Sequence, residues 1–156
     1  MESVFVGSGL LLLKLGLLSF WGLWFVLVFF TNLFEGLKVL HRISWTWKFA
    51  SHNYQPVVLA TAEYHAPLWL AKVLFSGVLL WQLITVLIFG WAIAASLEQV
   101  SLNWGLVDAA FAAGLGLWGA FMLADEFFKE YDTERTHVQL FIAQLVTVVA
   151  LHILPS

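Results

Sequence analysis

The chain has 156 residues, 62% of them hydrophobic and 11% charged, with a formal net charge of -3. A soluble domain is about 45–50% apolar and about 25% charged, so a globule of this length could not hide so much apolar surface, and much of it must face lipid. The acidic balance excludes a nucleic-acid binder, which needs a basic face against phosphate. The absence of cysteine excludes disulfides, thiolate metal sites, cysteine-held iron–sulfur clusters and covalently attached haem.

A hydrocarbon core about 30 Å thick is crossed by about 20 mainly apolar residues, and four segments have that character. The first is predicted over Leu10–Leu33. No positively charged region precedes it and no small-residue cleavage site follows, so it reads as a retained span and not a signal peptide. A loop over residues 34–66 comes next. Its stretch Ile43–Phe49 alternates apolar and polar residues, the period of a strand. A lone strand has no partner, so the stretch is expected to be irregular, lying in the membrane interface or docked on another subunit.

The second span is predicted over Pro67–Ala95, with Pro67 in its first turn, where a missing N–H costs nothing. The third runs over Trp104–Ala124 behind a capping Asn103. A charged loop over residues 125–132 leads to the fourth span, Thr133–Leu154, capped by Asp132 and ended by Pro155. Backbone amides cannot stay unpaired in lipid and no dyad repeat of a barrel is present. The fold class is therefore all-α: a single domain over residues 1–156, an integral membrane four-helix bundle.

Orientation follows from the basic residues. Lys38, Arg42 and Lys48 fall in the first loop, Lys129 and Arg135 near the last, and Lys72 just inside the second span on the same side. Only Lys14 belongs to the other face. Both charged loops are expected in the cytoplasm and both termini outside, as for a multi-pass protein of a bacterial inner membrane.

Several polar residues are candidates for chemistry. Ala112, Gly116 and Ala120 recur every four residues, a small-residue face that lets helices approach closely in lipid. Asp108 lies one turn before them, and an acid inside a span is a functional candidate by default. It sits as far from the outer end of its span as Lys14 does from its own, so the two are candidates for an ion pair or a proton site. His41, His65 and His137 should all reach the cytoplasmic interface, among Glu35, Glu63, Asp125, Glu126 and Glu130. Such sets can hold a metal, and neutral imidazoles can hold b-type haem. No pair of them has the spacing that places two ligands on one helical turn. Gln82 and Gln144 lie deep enough in their spans to need partners. Interhelical hydrogen bonds would serve, and so would the carbonyl of a quinone in an apolar slot.

The arrangement resembles a family of small uncharacterised bacterial integral membrane proteins with four spans. The likeness rests on Phe29-Phe30-Thr31-Asn32-Leu33-Phe34 after the first helix and on the closing Leu154-Pro155. It implies fold and topology and supplies no catalytic residue. No nucleophile or ligand motif stands out, and the spans hold few polar groups. The expectation is a non-catalytic accessory subunit of a larger respiratory or photosynthetic electron-transfer complex, surrounded by lipid and other membrane subunits. The alternatives are a small transporter or channel using Asp108, and a redox subunit binding quinone or haem.

Overall fold

The computed structural model of the chain describes the backbone of residues 2–155 and the side chains of residues 9–155. It is helical, with no strand among the described residues. Helix α1 spans Glu2–Val39, α2 Tyr54–Glu63, α3 Leu68–Gln99, α4 Trp104–Phe128 and α5 Tyr131–Ile153. Residues Gly9–Val39 of α1, together with α3, α4 and α5, form four helices long and apolar enough to cross a membrane. The all-α bundle expected from the sequence is the fold observed.

The spans extend beyond the apolar windows. α1 runs on through Glu35 and Lys38, and α4 through Asp125. All three residues are buried, so tertiary packing carries the helices past the point where hydropathy falls. The charged loop after the third span thereby shrinks to Lys129 and Glu130 between two helices. Asp132 lies inside the first turn of α5, where its charge favours the helix dipole. It is not the cap, because Glu130 precedes the helix and no side chain caps it. Asn103 does cap α4, accepting from the Leu106 N–H.

Helix ends use a recurrent device. His41, His65, Val100 and Lys129 all have positive φ. Each is followed by an N–H that bonds back to the residue five before it: Arg42 to Leu37, Ala66 to Thr61, Ser101 to Ser96 and Glu130 to Asp125. This is the Schellman closure usually supplied by glycine, met here by residues with a side chain. Histidine visits that region more readily than most residues; Val100, being β-branched, is strained there. Pro67 follows the closure of α2 with extended backbone and stands just before α3 as its N-cap, not in its first turn as expected, since proline can neither continue a helix nor leave its predecessor helical.

α1 packs on α3, α3 on α4 and α4 on α5. Trp21 on α1 donates to Thr147 Oγ1 on α5 at 3.1 Å. The start of α1, the end of α5 and the α3–α4 connection lie at one end of the bundle, and α2 and the α4–α5 connection at the opposite end. The middle is aromatic: Phe25 stacks between Phe89 at 5.5 Å and Trp118 at 5.6 Å, and Phe89 meets Phe111 edge-on. Gly114 of α4 has no room for a side chain between α5 and α1. A Cβ there would lie 2.9 Å from both Gln144 Oε1 and the Phe25 ring. Leu23, Leu27, Leu80, Leu87, Trp91 and Val146 are exposed outward, as a helix face in lipid requires.

The expected small-residue face is only partly a packing face. Gly116 receives the Trp81 ring, which would stand 3.1 Å from a Cβ there, and Ala120 borders a groove against α3, but Ala112 is exposed. The tightest fit is at Gly114 instead, because the core-facing stripe of α4 is Val107, Ala110, Phe111, Gly114, Leu117 and Trp118.

Candidate functional site

At the end of the bundle covered by α2, one stripe from each long helix borders a cavity of about 490 Å³. α1 presents Trp24, Val28 and Asn32; α3 presents Phe75, Val78 and Gln82; α4 presents Trp118 and Phe121; α5 presents Thr133, Thr136, His137 and Leu140. These intervals of three and four keep each set on one helix face. α2 forms the roof through Pro56 and Val57, with Asn53 just ahead of it. The roof is tied down on both sides. The Ser51 N–H donates to Thr31 O at 3.1 Å, and the Tyr64 hydroxyl donates to Phe127 O at 2.8 Å while its ring stacks on Phe127.

Three amides form a relay across this end. Asn53 Nδ2 donates to Asn32 Oδ1 at 2.9 Å, and Asn32 Nδ2 donates to Gln82 Oε1 at 3.1 Å. The chain stops at Gln82, whose Nε2 is buried with no acceptor. The indole N–H groups of Trp24 and Trp118 are likewise buried and unpaired. Elsewhere in the same bundle Trp21 Nε1 finds Thr147, and Trp81 Nε1 finds Ala113 O at 3.0 Å. The two cavity-wall indoles lack what their neighbours have. An unmet buried donor costs about 1–3 kcal/mol, and three of them belong to residues of one wall.

The fourth polar element is a carboxylate–imidazole pair. Asp125 Oδ2 lies 2.5 Å from His137 Nδ1, and Thr133 Oγ1 is 3.0 Å from Asp125 Oδ1. The His137 ring lies over Phe121 at 4.8 Å and beside Trp118 at 6.2 Å. A carboxylate on Nδ1 fixes the ring's orientation and tautomer and leaves Nε2 as the nitrogen for a ligand. Such a nitrogen accepts a hydrogen bond from a hydroxyl when neutral and donates one to a carbonyl when protonated. No lysine or arginine borders the cavity, and Asp132 does.

The three histidines singled out in the sequence do not meet. His41 and His65 are exposed αL residues that end α1 and α2, and His41 packs beside Trp45. Their backbone role explains them. Among the described residues no group of three His, Cys, Asp or Glu side chains is placed to hold a metal ion. His137 alone reaches the cavity. Of the two glutamines, Gln82 lines it, whereas Gln144 is buried against Gly114 and Phe25 with neither amide atom partnered.

Lys14 and Asp108 share the opposite end but take different partners. Lys14 Nζ donates to Leu154 O at 2.9 Å and sits 5.3 Å over the Trp104 ring. Asp108 Oδ1 is 2.8 Å from His152 Nε2, and His152 stacks on Trp104 at 4.4 Å. The expected direct pair is replaced because the last carbonyls of α5 attract the cation and His152 reaches Asp108 first.

Asn32, Asn53, Trp24, Trp118 and the Asp125 partnership were not legible as a site. Asp125 and His137 are twelve residues apart, a spacing that becomes a contact only when a two-residue connection folds α5 back along α4. No family model, curated protein or solved structure matches the chain, so the reading of the site rests on its geometry.

Proposed function

We propose that the chain is a membrane-embedded binding protein for a neutral, lipid-soluble carbonyl compound of the quinone class, held in the cavity between α1, α3, α4 and α5. The observation that carries this is the contrast among the indoles: Trp24 and Trp118 on the cavity wall have no acceptor, while Trp21 and Trp81 away from it do. Donors without acceptors, beside aromatic walls, call for a flat ligand bearing oxygen acceptors. Gln82 Nε2 supplies one donor and His137 a group that can donate to a carbonyl or accept from a quinol hydroxyl. The absence of any cationic lining residue, with Asp132 on the wall, disfavours a phosphate headgroup. A cavity of this size falls in the range of about 300–1,000 Å³ usual for small-molecule sites.

The test is titration of the detergent-purified protein with 2,3-dimethoxy-5-methyl-1,4-benzoquinone, followed by quenching of tryptophan fluorescence. Saturable quenching with one site is expected. Gln82→Leu and His137→Phe should each weaken it by about tenfold, the value of one hydrogen bond to a charged or well-oriented group. Linear quenching with no saturation, unchanged in both variants, would overturn the proposal.

A second reading, an accessory subunit of a larger electron-transfer complex, is favoured by Trp45, Trp47 and Phe49. These aromatics are exposed in the irregular segment outside the long helices. Purification in mild detergent with larger membrane proteins attached, lost when the three are replaced by serine, would bear on that reading separately.

A further inference from the structure

The polar cavity does not stand alone. A second space of about 350 Å³ lies between α3 and α4 beneath α2, and Pro56, Val57, Val78, Phe121 and Thr133 border both. Its character is different. Gly77, Ala120 and Ala124 leave it room, and the Trp81 N–H is spent on Ala113 O, so only the indole ring is left to face it. Glu130 and Thr133 are its polar residues, and both belong to the connection end. From there it runs inward as far as Trp81, and Leu74 to Trp81 along α3 spans about 10 Å at 1.5 Å per residue.

We infer that this groove takes the hydrocarbon chain of the same ligand whose ring occupies the polar cavity, so the site recognises an amphiphile as a whole. The inference rests on the reading of the cavity given above and adds the tail. The shared walls set a more polar compartment directly beside an apolar one. The apolar one lies on an outer side of the bundle between two spans, where a chain can leave for the bilayer without crossing a polar barrier. Lipid is as apolar as the groove, so burial alone supplies little preference. The gain comes from close packing against a preformed wall and from holding the ring in register.

Gly77 allows a clean test, because a Cβ there would meet no atom within 4 Å and a larger side chain would enter the groove. Gly77→Leu should weaken binding of a decyl-substituted benzoquinone at least tenfold while leaving the tail-free 2,3-dimethoxy-5-methyl-1,4-benzoquinone within twofold of wild type. Gly90→Leu, on the same helix with equal room but off the groove, controls for the change of residue and should alter neither. If both compounds bind and Gly77→Leu changes neither, or weakens both alike, the tail assignment is overturned and the cavity reading stands. Failure of both compounds to bind the wild-type chain overturns the two together. A phospholipid that co-purifies with the wild-type chain and is lost from Gly77→Leu assigns the groove to membrane lipid, and overturns the inference too.

Discussion

The two ends of the bundle are built from similar materials and finished differently. At the end bearing the termini, Lys14, Trp104, Asp108, His152 and the Leu154 carbonyl satisfy one another. At the other, Asp125, His137, Asn32 and Gln82 also bond, yet they stop short, leaving buried N–H groups unpaired in residues that line a space. Each end contains one histidine on one aspartate. His152 and Asp108 are each about half exposed, whereas His137 and Asp125 are 23% and 11% exposed. Water can do for the first pair whatever the protein does not. For the second, the protein supplies the environment, and a gap in its hydrogen bonding points to something that fills it.

The largest effect should come from the region that both ends share. Gly114→Leu forces Gln144 and Phe25 apart and separates α4 from α5, on which both histidine–aspartate pairs depend. Overpacking of this kind costs about 1–3 kcal/mol or more. A fall in the thermal midpoint in detergent, with loss of ligand binding, is expected; an unchanged midpoint would show that the bundle tolerates a wider spacing. Next is Asp125→Ala, which frees His137 Nδ1 and Thr133 at once. Removing an acceptor from a buried charged hydrogen bond costs about 1.5–3 kcal/mol, and quinone binding should weaken tenfold or more because the ring loses its orientation. Binding unaltered by Asp125→Ala would place the ligand elsewhere.

The indoles give a prediction that depends on their place in the bundle. Trp118→Phe and Trp24→Phe delete donors that have no acceptor, so the ligand-free protein loses only the packing of the larger ring and no hydrogen bond, while its affinity for the quinone falls. Trp81→Phe deletes a donor that has one, losing its bond to Ala113 O, and should cost about 1 kcal/mol more than the lost ring packing with affinity for the tail-free compound unchanged. Paired thermal melts with and without ligand separate the two classes. Quinone affinity unchanged in both Trp24→Phe and Trp118→Phe would mean that the cavity indoles do not bond the ligand.

Much of the fold was legible in the sequence because a membrane span is a one-dimensional signal: length and hydropathy suffice. What hydropathy could not show was how far the helices continue, since Glu35, Lys38 and Asp125 are buried by neighbours that only the folded bundle supplies. α2 escaped notice because ten residues with two buried positions leave no periodic pattern long enough to read. The site was legible in fragments. Gln82 and His137 stood out as polar residues in or near apolar spans. His41 and His65 stood out equally, although they serve the backbone as left-handed helix ends, which side-chain chemistry does not announce. Trp24 and Trp118 were indistinguishable from the other tryptophans, because an unmet N–H is a property of surroundings and not of residue type.

The smallest effect is expected at the finished end, and it is the one that tests the comparison itself. His152→Ala removes a ring stacked on Trp104 and a partner of Asp108, both at the surface. Exposed pairs are worth up to about 1 kcal/mol because water and salt screen them, and raising the salt concentration should shrink even that difference. Affinity for quinone should be untouched, since α4 and α5 hold their spacing through Gly114 and Gln144 well below this end. If His152→Ala instead weakened binding as much as Asp125→Ala, the two ends would be coupled along α5. The unpaired groups near the cavity would then belong to a bundle-wide adjustment and not to a local site.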